Sequence, residues 1–311
     1  MKKIAVIGST MMDVVSYTDR MPEAGETRMS TDFHIAAGGK GANQAIAAAK
    51  LGADVMMVTA IGDDLFGENS RKNFRRHNID DRHIMTISDT ANGVASITVE
   101  ASGQNRILIC AGANGKFTPD LLKSAEHDLS LCSLIVLQLE IPLETVYAAI
   151  AFGKKHGIPV LLNPAPAAEN LSFEKVCDCE FFMPNETELA ITTGMPTETL
   201  DGVRAAAKKL LGHGLKNVIV TMGSRGSLWM SKDHEVHIEA SEVKAVDTTG
   251  AGDAFIGCFA ASYVASGDIE KSLRRASRYA TLSVTRTGTQ GSYADAEEFT
   301  AFLQELDGKT A

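Results

Sequence analysis

Ala245-Val246-Asp247-Thr248-Thr249-Gly250-Ala251-Gly252-Asp253-Ala254-Phe255 opens onto a run of small and apolar residues, 254–265, that reads as a helix. Gly250-Ala251-Gly252 carries almost no side chain, so backbone N–H groups there can approach a ligand closely. A helix start also leaves its first N–H groups unpaired and positive. Together these features describe an anion site, most naturally for a phosphate. Asp253 sets a carboxylate beside that anion. Such a group makes chemical sense as the base that takes a proton from an attacking hydroxyl. The plainer reading is that Asp253 caps the helix.

Outward from this stretch, strand-like and helix-like segments alternate along residues 1–311. Short apolar runs at 4–7, 55–61, 134–139, 159–163, 181–183 and 217–222 are separated by helical patterns at 44–51, 67–77, 143–156 and 200–211. This order predicts a single α/β domain with a three-layer arrangement, helices flanking a central, mostly parallel sheet. Ligands in such sheets sit at the carboxyl ends of strands. Asp13, Glu140, Asn163, Asn185 and Gly223 all fall at such ends. Residues 11–17 pair by pattern with 27–35, and 91–100 with 106–111. They predict a small separate β-sheet drawn from about residues 11–36 and 91–112. The turn after the first strand is Gly8-Ser9-Thr10-Met11-Met12-Asp13, not GxGxxG, which disfavours a dinucleotide fold.

Composition narrows the partners. With 30 Lys and Arg against 39 Asp and Glu, the net charge of −9 argues against nucleic-acid or anionic-membrane binding, so a phosphate site must be local. Five cysteines at irregular spacing, with no CxxC pair, read as reduced thiols of a cytoplasmic protein. His234-Glu235-Val236-His237 lacks the HExxH spacing and reads as a strand. Met1-Lys2-Lys3 precedes only four apolar residues, too few for a signal peptide, and no long apolar run predicts a membrane span.

Three further motifs bear on chemistry. Gly38-Gly39-Lys40-Gly41-Ala42-Asn43 does not fit the Walker A spacing; it reads as a helix-start turn or as a loop offering backbone and amide donors to a polyhydroxyl ligand. Asn185 and Glu188, three apart, share a helical face and suit a hydrated magnesium ion, or else simply an acid-rich helix start. Thr221-Met222-Gly223-Ser224-Arg225-Gly226 joins two strands, as a plain turn or as a glycine-lined loop beside nucleotide phosphates.

Residues 38–44 and 247–253 resemble the two signatures of the ribokinase-like sugar kinases. Asn163-Pro164-Ala165-Pro166-Ala167 and Pro184-Asn185-Glu186-Thr187-Glu188 match the family between them, in order, and the resemblance runs from Lys3 to about Leu303. It implies an ATP-dependent phosphotransferase whose small sheet is a lid, and a homodimer paired through lid sheets. It implies Asp253 as base and the N–H groups of Gly250, Ala251 and Gly252 as the anion hole. Sugar contacts carried over are Met11, Met12, Asp13, Gly39, Lys40, Gly41, Ala42, Asn43 and Glu140. Nucleotide contacts are Asn185, Thr221, Met222, Gly223, Ser224, Arg225, Gly226 and Gly252. Ser277 stands where family members often carry a histidine near the adenine. Glu188 falls near magnesium. Asp247, Thr249, Ser283, Arg286, Gly288 and Ser292 match an activating site for a monovalent cation such as potassium, several through backbone carbonyls.

The substrate turns on one departure. Ribokinases carry Asn where this chain has Met11, two residues before Asp13. Residues two apart in a strand share a face, so Met11 should meet the sugar if Asp13 does. A thioether suits a bare CH₂, and a hydroxyl buried against it without a partner costs about 1–3 kcal/mol. Residues 137–140, 181–184 and 254–259 also look closest to the 2-deoxyribokinases. The expectation is phosphorylation of 2-deoxy-D-ribose at O5. Ribokinase is the nearest rival. A nucleoside kinase would want an aromatic residue in the lid, a fructose-phosphate kinase more basic ones there, and a non-catalytic sugar sensor would not need Asp253.

Overall fold

The computed structural model describes residues 2–309. Strands β1 (Lys3–Ile7), β2 (Met11–Thr18), β3 (Asp32–Gly38), β4 (Asp54–Gly62), β5 (Asp80–Ile87), β6 (Gly93–Glu100) and β7 (Asn105–Cys110) occupy the first third. They are followed by β8 (Leu134–Leu137), β9 (Val160–Leu162), β10 (Phe181–Phe182), β11 (Asn217–Thr221), β12 (Ser227–Ser231) and β13 (Glu235–Ile238). The helices in chain order are α1 (Lys40–Lys50), α2 (Leu65–Arg76), α3 (Pro119–Lys123), α4 (Glu126–Leu129), α5 (Leu143–His156) and α6 (Phe173–Val176). Helices α7 (Glu186–Thr193), α8 (Leu200–Gly212), α9 (Ala251–Ser266), α10 (Ile269–Ser283) and α11 (Ala296–Lys309) complete the set.

Nine strands form one sheet in the order β13-β12-β11-β10-β9-β8-β1-β4-β5, parallel except where β12 pairs with β11 and β13. Buried strands on both faces must split their side chains between two cores. In β1, Ile4 and Val6 join the core under α1, α2, α9, α10 and α11, while Ala5 and Ile7 join the core under α3–α8. The chain leaves β1 toward β4 on one side and returns to β8 on the other. The switch between β1 and β8 opens a crevice at their carboxyl ends.

Strands β3-β2-β6-β7 form a second, four-stranded sheet, the small sheet expected from the pattern. Its other strands shift by one or two residues from the expected bounds, to Met11–Thr18, Gly93–Glu100 and Asn105–Cys110, and one differs more. The expected strand at 27–35 begins only at Asp32 and runs to Gly38. The preceding residues are held in a charged turn instead: Arg20 pairs with Glu26, and Arg28 pairs with both Glu26 and Asp19.

Helices α1 and α9 cross closely because Gly257 presents no side chain: a Cβ there would lie 2.6 Å from the Gln44 carbonyl oxygen. This approach brings the first turns of α1 and α9 together at the mouth of the crevice.

Candidate active site

Helix α9 starts on Gly250, whose φ of 75° is left-handed. A side chain at 250 would also run into Thr289 and lie 2.7 Å from the Tyr293 hydroxyl. That hydroxyl donates to the Gly250 carbonyl at 3.0 Å and fixes the turn. No side chain caps α9; the Ala251 N–H donates to the Thr248 carbonyl at 3.2 Å, and a ligand at this positive end would share that donor. At Gly252 a Cβ would meet nothing within 4 Å, so the space before it is free.

Asp253, in the first turn of α9, is 7% exposed. Its Oδ2 accepts from Asn43 Nδ2 and its Oδ1 from Gln44 Nε2, each at 2.9 Å. The amides continue inward. Gln44 Oε1 accepts from Gln138 Nε2 at 2.7 Å, and Asn43 Oδ1 accepts from Gln290 Nε2 at 2.9 Å. Burial works against the charge of Lys40, but the carboxylates of Asp253, Glu140 and Glu188 outweigh it and hold its pKa above the usual lysine value.

Asp13, on β2, faces the same region. Burial first, then the neighbouring Glu140 and Asp253, raise its pKa to about 6. Glu140 Oε2 accepts from the Ser9 hydroxyl at 2.5 Å and the Lys40 backbone N–H at 2.9 Å. The glycines of the 38–41 turn are spatial necessities. A Cβ on Gly38 would overlap the Asp13 carboxylate, and one on Gly41 would lie 2.6 Å from the Ser9 nitrogen. Met11 and Met12 are buried at the start of β2. Met11 pairs with Gly38 across the ladder, so Met11, Gly38 and Asp13 share one face.

Two cavities meet at α9. The smaller, about 170 Å³, is lined by Lys40, Asn163, Asn185, Glu188, Gly250 and Asp253 among others. The larger, about 710 Å³, has Gly223, Ser224, Gly226, Val243, Phe255, Ser277 and Thr281 on its walls. Thr221, Thr248, Ala251 and Gly252 border both. The larger volume suits a nucleotide-sized ligand with an apolar end. The smaller holds the carboxylate next to the helix start.

Several expected contacts lie elsewhere. Met222 is buried in the core beside β11 and lines neither cavity. Arg225 turns away from the large cavity, pairing with Glu186 and donating to the carbonyls of Glu198 and Thr197. Asn185 and Glu188 form a reciprocal capping box. The Asn185 side chain accepts from Glu188 N, while both Glu188 oxygens accept from Asn185, at 2.8 Å from its backbone N–H and 2.9 Å from its side-chain amide. Burial raises the Glu188 pKa, while the Asn185 backbone hydrogen bond and the Lys40 charge oppose the shift.

The residues matched to a monovalent cation are tied into the fold. Asp247 accepts from the backbone N–H groups of Thr249 at 2.9 Å and Gly288 at 2.8 Å, joining two loops. Burial opposes its ionisation and these two hydrogen bonds overcome it, holding its pKa below the usual value. Ser283 and Ser292 donate to the carbonyls of Ala280 and Thr289, and Arg286 pairs with Glu298.

Sequence reading assigned no role to Ser9, Gln44, Gln138, Asn163 or Gln290. A signal existed for three of them: Asn163 falls at a strand end and opens the 163–167 motif. Gln44 closes the glycine-rich motif, and Gln138 is a lone amide between Leu137 and Leu139. Thr248 and Phe255 on the cavity walls lie within the 245–255 stretch but drew no role, and Thr281 left no pattern that separates it from ordinary helix residues.

Comparison with known proteins gives concordant matches. The family described as pfkB family carbohydrate kinase matches residues 1–296. A deoxyribokinase from Salmonella typhi is 54% identical over 300 residues, covering 96% of this chain and 98% of that one. A ribokinase from Schizosaccharomyces pombe is 41% identical over 318 residues, covering 99% of this chain and 98% of that one. The structure of Arabidopsis thaliana ribokinase complexed with ribose and ATP superposes with a TM-score of 0.92 at 30% identity, covering 97% of this chain and 98% of that one.

Proposed function

The chain belongs to the pfkB family of carbohydrate kinases, and from that membership we propose that it transfers the γ-phosphoryl group of ATP to O5 of 2-deoxy-D-ribose. The observation that carries the reading is Asp253: a buried carboxylate, held by two amides, at the helix start where two cavities meet. The 54% identity to a deoxyribokinase over nearly the whole chain supports the sugar, as does Met11 on the Asp13 face of β2. Ribokinase is the second reading, favoured by the 41% identity to the Schizosaccharomyces pombe enzyme.

Sugar lies under the small sheet, against Asp13, Lys40, Asn43 and Glu140. Met12, Gly39, Gly41 and Ala42 shape its edge. ATP lies in the large cavity along Thr221, Gly223, Ser224, Gly226 and Ser277, its terminal phosphate reaching the α9 start. Asp253 accepts the proton of the O5 hydroxyl as O5 attacks the γ-phosphorus. The O5–P bond forms, the bond to the ADP oxygen breaks, and ADP leaves with the electron pair. The N–H groups of Gly250, Ala251 and Gly252, together with Lys40, stabilise charge on the moving phosphoryl group. Magnesium bound with ATP supplies further positive charge, and Glu188, whose oxygens already accept from Asn185, suits contact with it through water. Closure of the small sheet excludes water and limits ATP hydrolysis.

Three accessory features belong to this reading. Asp247 with the carbonyls near Thr249, Ser283, Arg286, Gly288 and Ser292 would take a monovalent cation, tested by activity in potassium against sodium or tetramethylammonium. Phe33, Ile35, Ile107, Leu108 and Ile109 leave the small sheet with exposed apolar faces, which supports a homodimer through it. Sedimentation checks that. Among the described residues no helix is long and apolar enough to cross a membrane, and all five cysteines are free, which fits a cytoplasmic enzyme. ADP release measured across 2-deoxyribose, ribose, fructose and adenosine tests the substrate.

A further inference from the structure

Both oxygens of Asp253 are tied to amide chains that run away from the cavities into the fold. Gln44 is 1% exposed, Gln138 is fully buried, and neither lines a cavity. A carboxylate only accepts, so Gln44 must present its NH₂ to Asp253 Oδ1. Its nitrogen also donates to Asn163 Oδ1 at 3.3 Å. Asn163 is itself oriented, because its nitrogen donates to the Met183 carbonyl at 2.8 Å. The remaining atom, Gln44 Oε1, accepts from Gln138. Turning the Gln44 amide over would place oxygen against the Asp253 carboxylate and the Asn163 oxygen, and nitrogen against the Gln138 nitrogen. All three contacts would become repulsive, so one orientation is imposed.

Gln138 adds an independent sign of purpose. Its own Oε1 is buried without a hydrogen-bond partner and lies above Gly8, where any Cβ would overlap it. A buried acceptor left unpaired is unfavourable. The fold tolerates it while the Gln138 nitrogen points at Gln44.

We propose that Gln44, locked by Gln138 and Asn163, is a positioning residue that sets the geometry of Asp253. The inference rests on Asp253 serving as the base. The charged and titratable groups facing Asp253 are Lys40 on α1, Asp13 on β2, Glu188 on α7 and Tyr293 ahead of α11, with Glu140 beside Lys40 and Asp13. An amide fixes the carboxylate without adding a charge to that cluster.

The test is Gln44→Met, which keeps side-chain length and removes the donor. With ATP and sugar, kcat should fall roughly 10- to 100-fold through misplacement of the base. The KM for sugar should stay within about twofold, so that the loss falls on kcat, because Gln44 lines neither cavity. ADP affinity should stay within about twofold, since Gln44 touches no nucleotide. Gln138→Met should lower kcat in the same way by less. A merely structural role would lower the melting temperature and leave kcat per ADP-binding site unchanged, and that result overturns the proposal. If Gln44→Met no longer binds ADP, Gln138→Met decides by the same criteria. Asp253→Asn separates the two readings. Activity in that variant removes the base assignment itself, whereas an inactive Asp253→Asn beside normal glutamine variants removes only the positioning role.

Discussion

Asn43 donates from Nδ2 to Asp253 Oδ2 at 2.9 Å across 210 positions of sequence. This bond joins the glycine-rich turn that begins α1 to the first turn of α9. One motif lies on the sugar side of the proposed reaction and the other at the phosphoryl end, so the bond holds acceptor site and base in one frame.

Asp13, the proposed sugar ligand, works against stability at neutral pH. Its pKa of about 6 lies above the usual value of 3.8, so the folded protein binds its proton more tightly than the unfolded chain does. Stability from this group is full below about pH 4 and is lost as pH rises through about 6. Asp13→Asn should therefore stabilise the free protein by about 1–3 kcal/mol at pH 7.5. It should also weaken sugar binding, because an acceptor-only group facing hydroxyls is lost. In the parent enzyme the KM for sugar should fall between pH 5 and 7 as Asp13 ionises. Thermal melts and a pH series of KM check both. A destabilised Asp13→Asn would contradict the electrostatic account.

Gly250 and Gly252 should respond differently to alanine. At Gly250 the backbone is left-handed at φ 75° and the space is filled by Thr289 and Tyr293. Gly250→Ala should cost about 1–3 kcal/mol or more, a drop of several degrees in melting temperature, with loss of turnover. At Gly252 a Cβ meets nothing. Gly252→Ala should melt within about 1–2 °C of the parent yet raise the KM for ATP, because the methyl projects where the two cavities meet. Melting curves paired with ATP titrations distinguish them.

Met11 is the proposed discriminator at the sugar. Met11→Asn should move the ratio of kcat/KM for ribose over 2-deoxyribose upward by about 10- to 100-fold, because an amide satisfies the extra hydroxyl that a thioether leaves unpaired. An unchanged ratio would place sugar selection elsewhere.

Much of the α/β order was legible in the sequence because its signals are local. Helix α5 carries its apolar residues at helical spacing and ends on Gly157, left-handed at φ 68°; α10 begins with Asp268 accepting from the Lys271 N–H. Other elements depend on distant partners. Strand β5, an edge strand, opens on Asp80-Asp81-Arg82 and shows little alternation; its charges are matched by Lys3, Arg71, Arg75 and Asp128. Helices α1 and α9 begin earlier than pattern indicates, at Lys40 and Ala251, because Gly41 and Gly252 are helical here despite their low propensity. Gly41 is required by the approach of Ser9. The motifs around Asn43 and Asp253 could be found as motifs, but the hydrogen bonds from Gln44 to Asp253 and from Gln138 to Gln44 span 209 and 94 positions. No periodicity encodes such pairs. The outward turn of Arg225 escaped for the same reason: residue type was visible and partner was not. The Asn185–Glu188 pair was visible at its local spacing, which fits a capping box as well as a magnesium contact.

The most direct test of the account is Asp253→Asn assayed by ADP release with 2-deoxyribose, alongside ADP binding by calorimetry. Asparagine keeps the volume and removes the proton acceptor. The account predicts a loss of about 10²- to 10⁴-fold in kcat, with ADP affinity near that of the parent. Turnover within a few-fold of the parent, in protein that binds ADP normally, would contradict it.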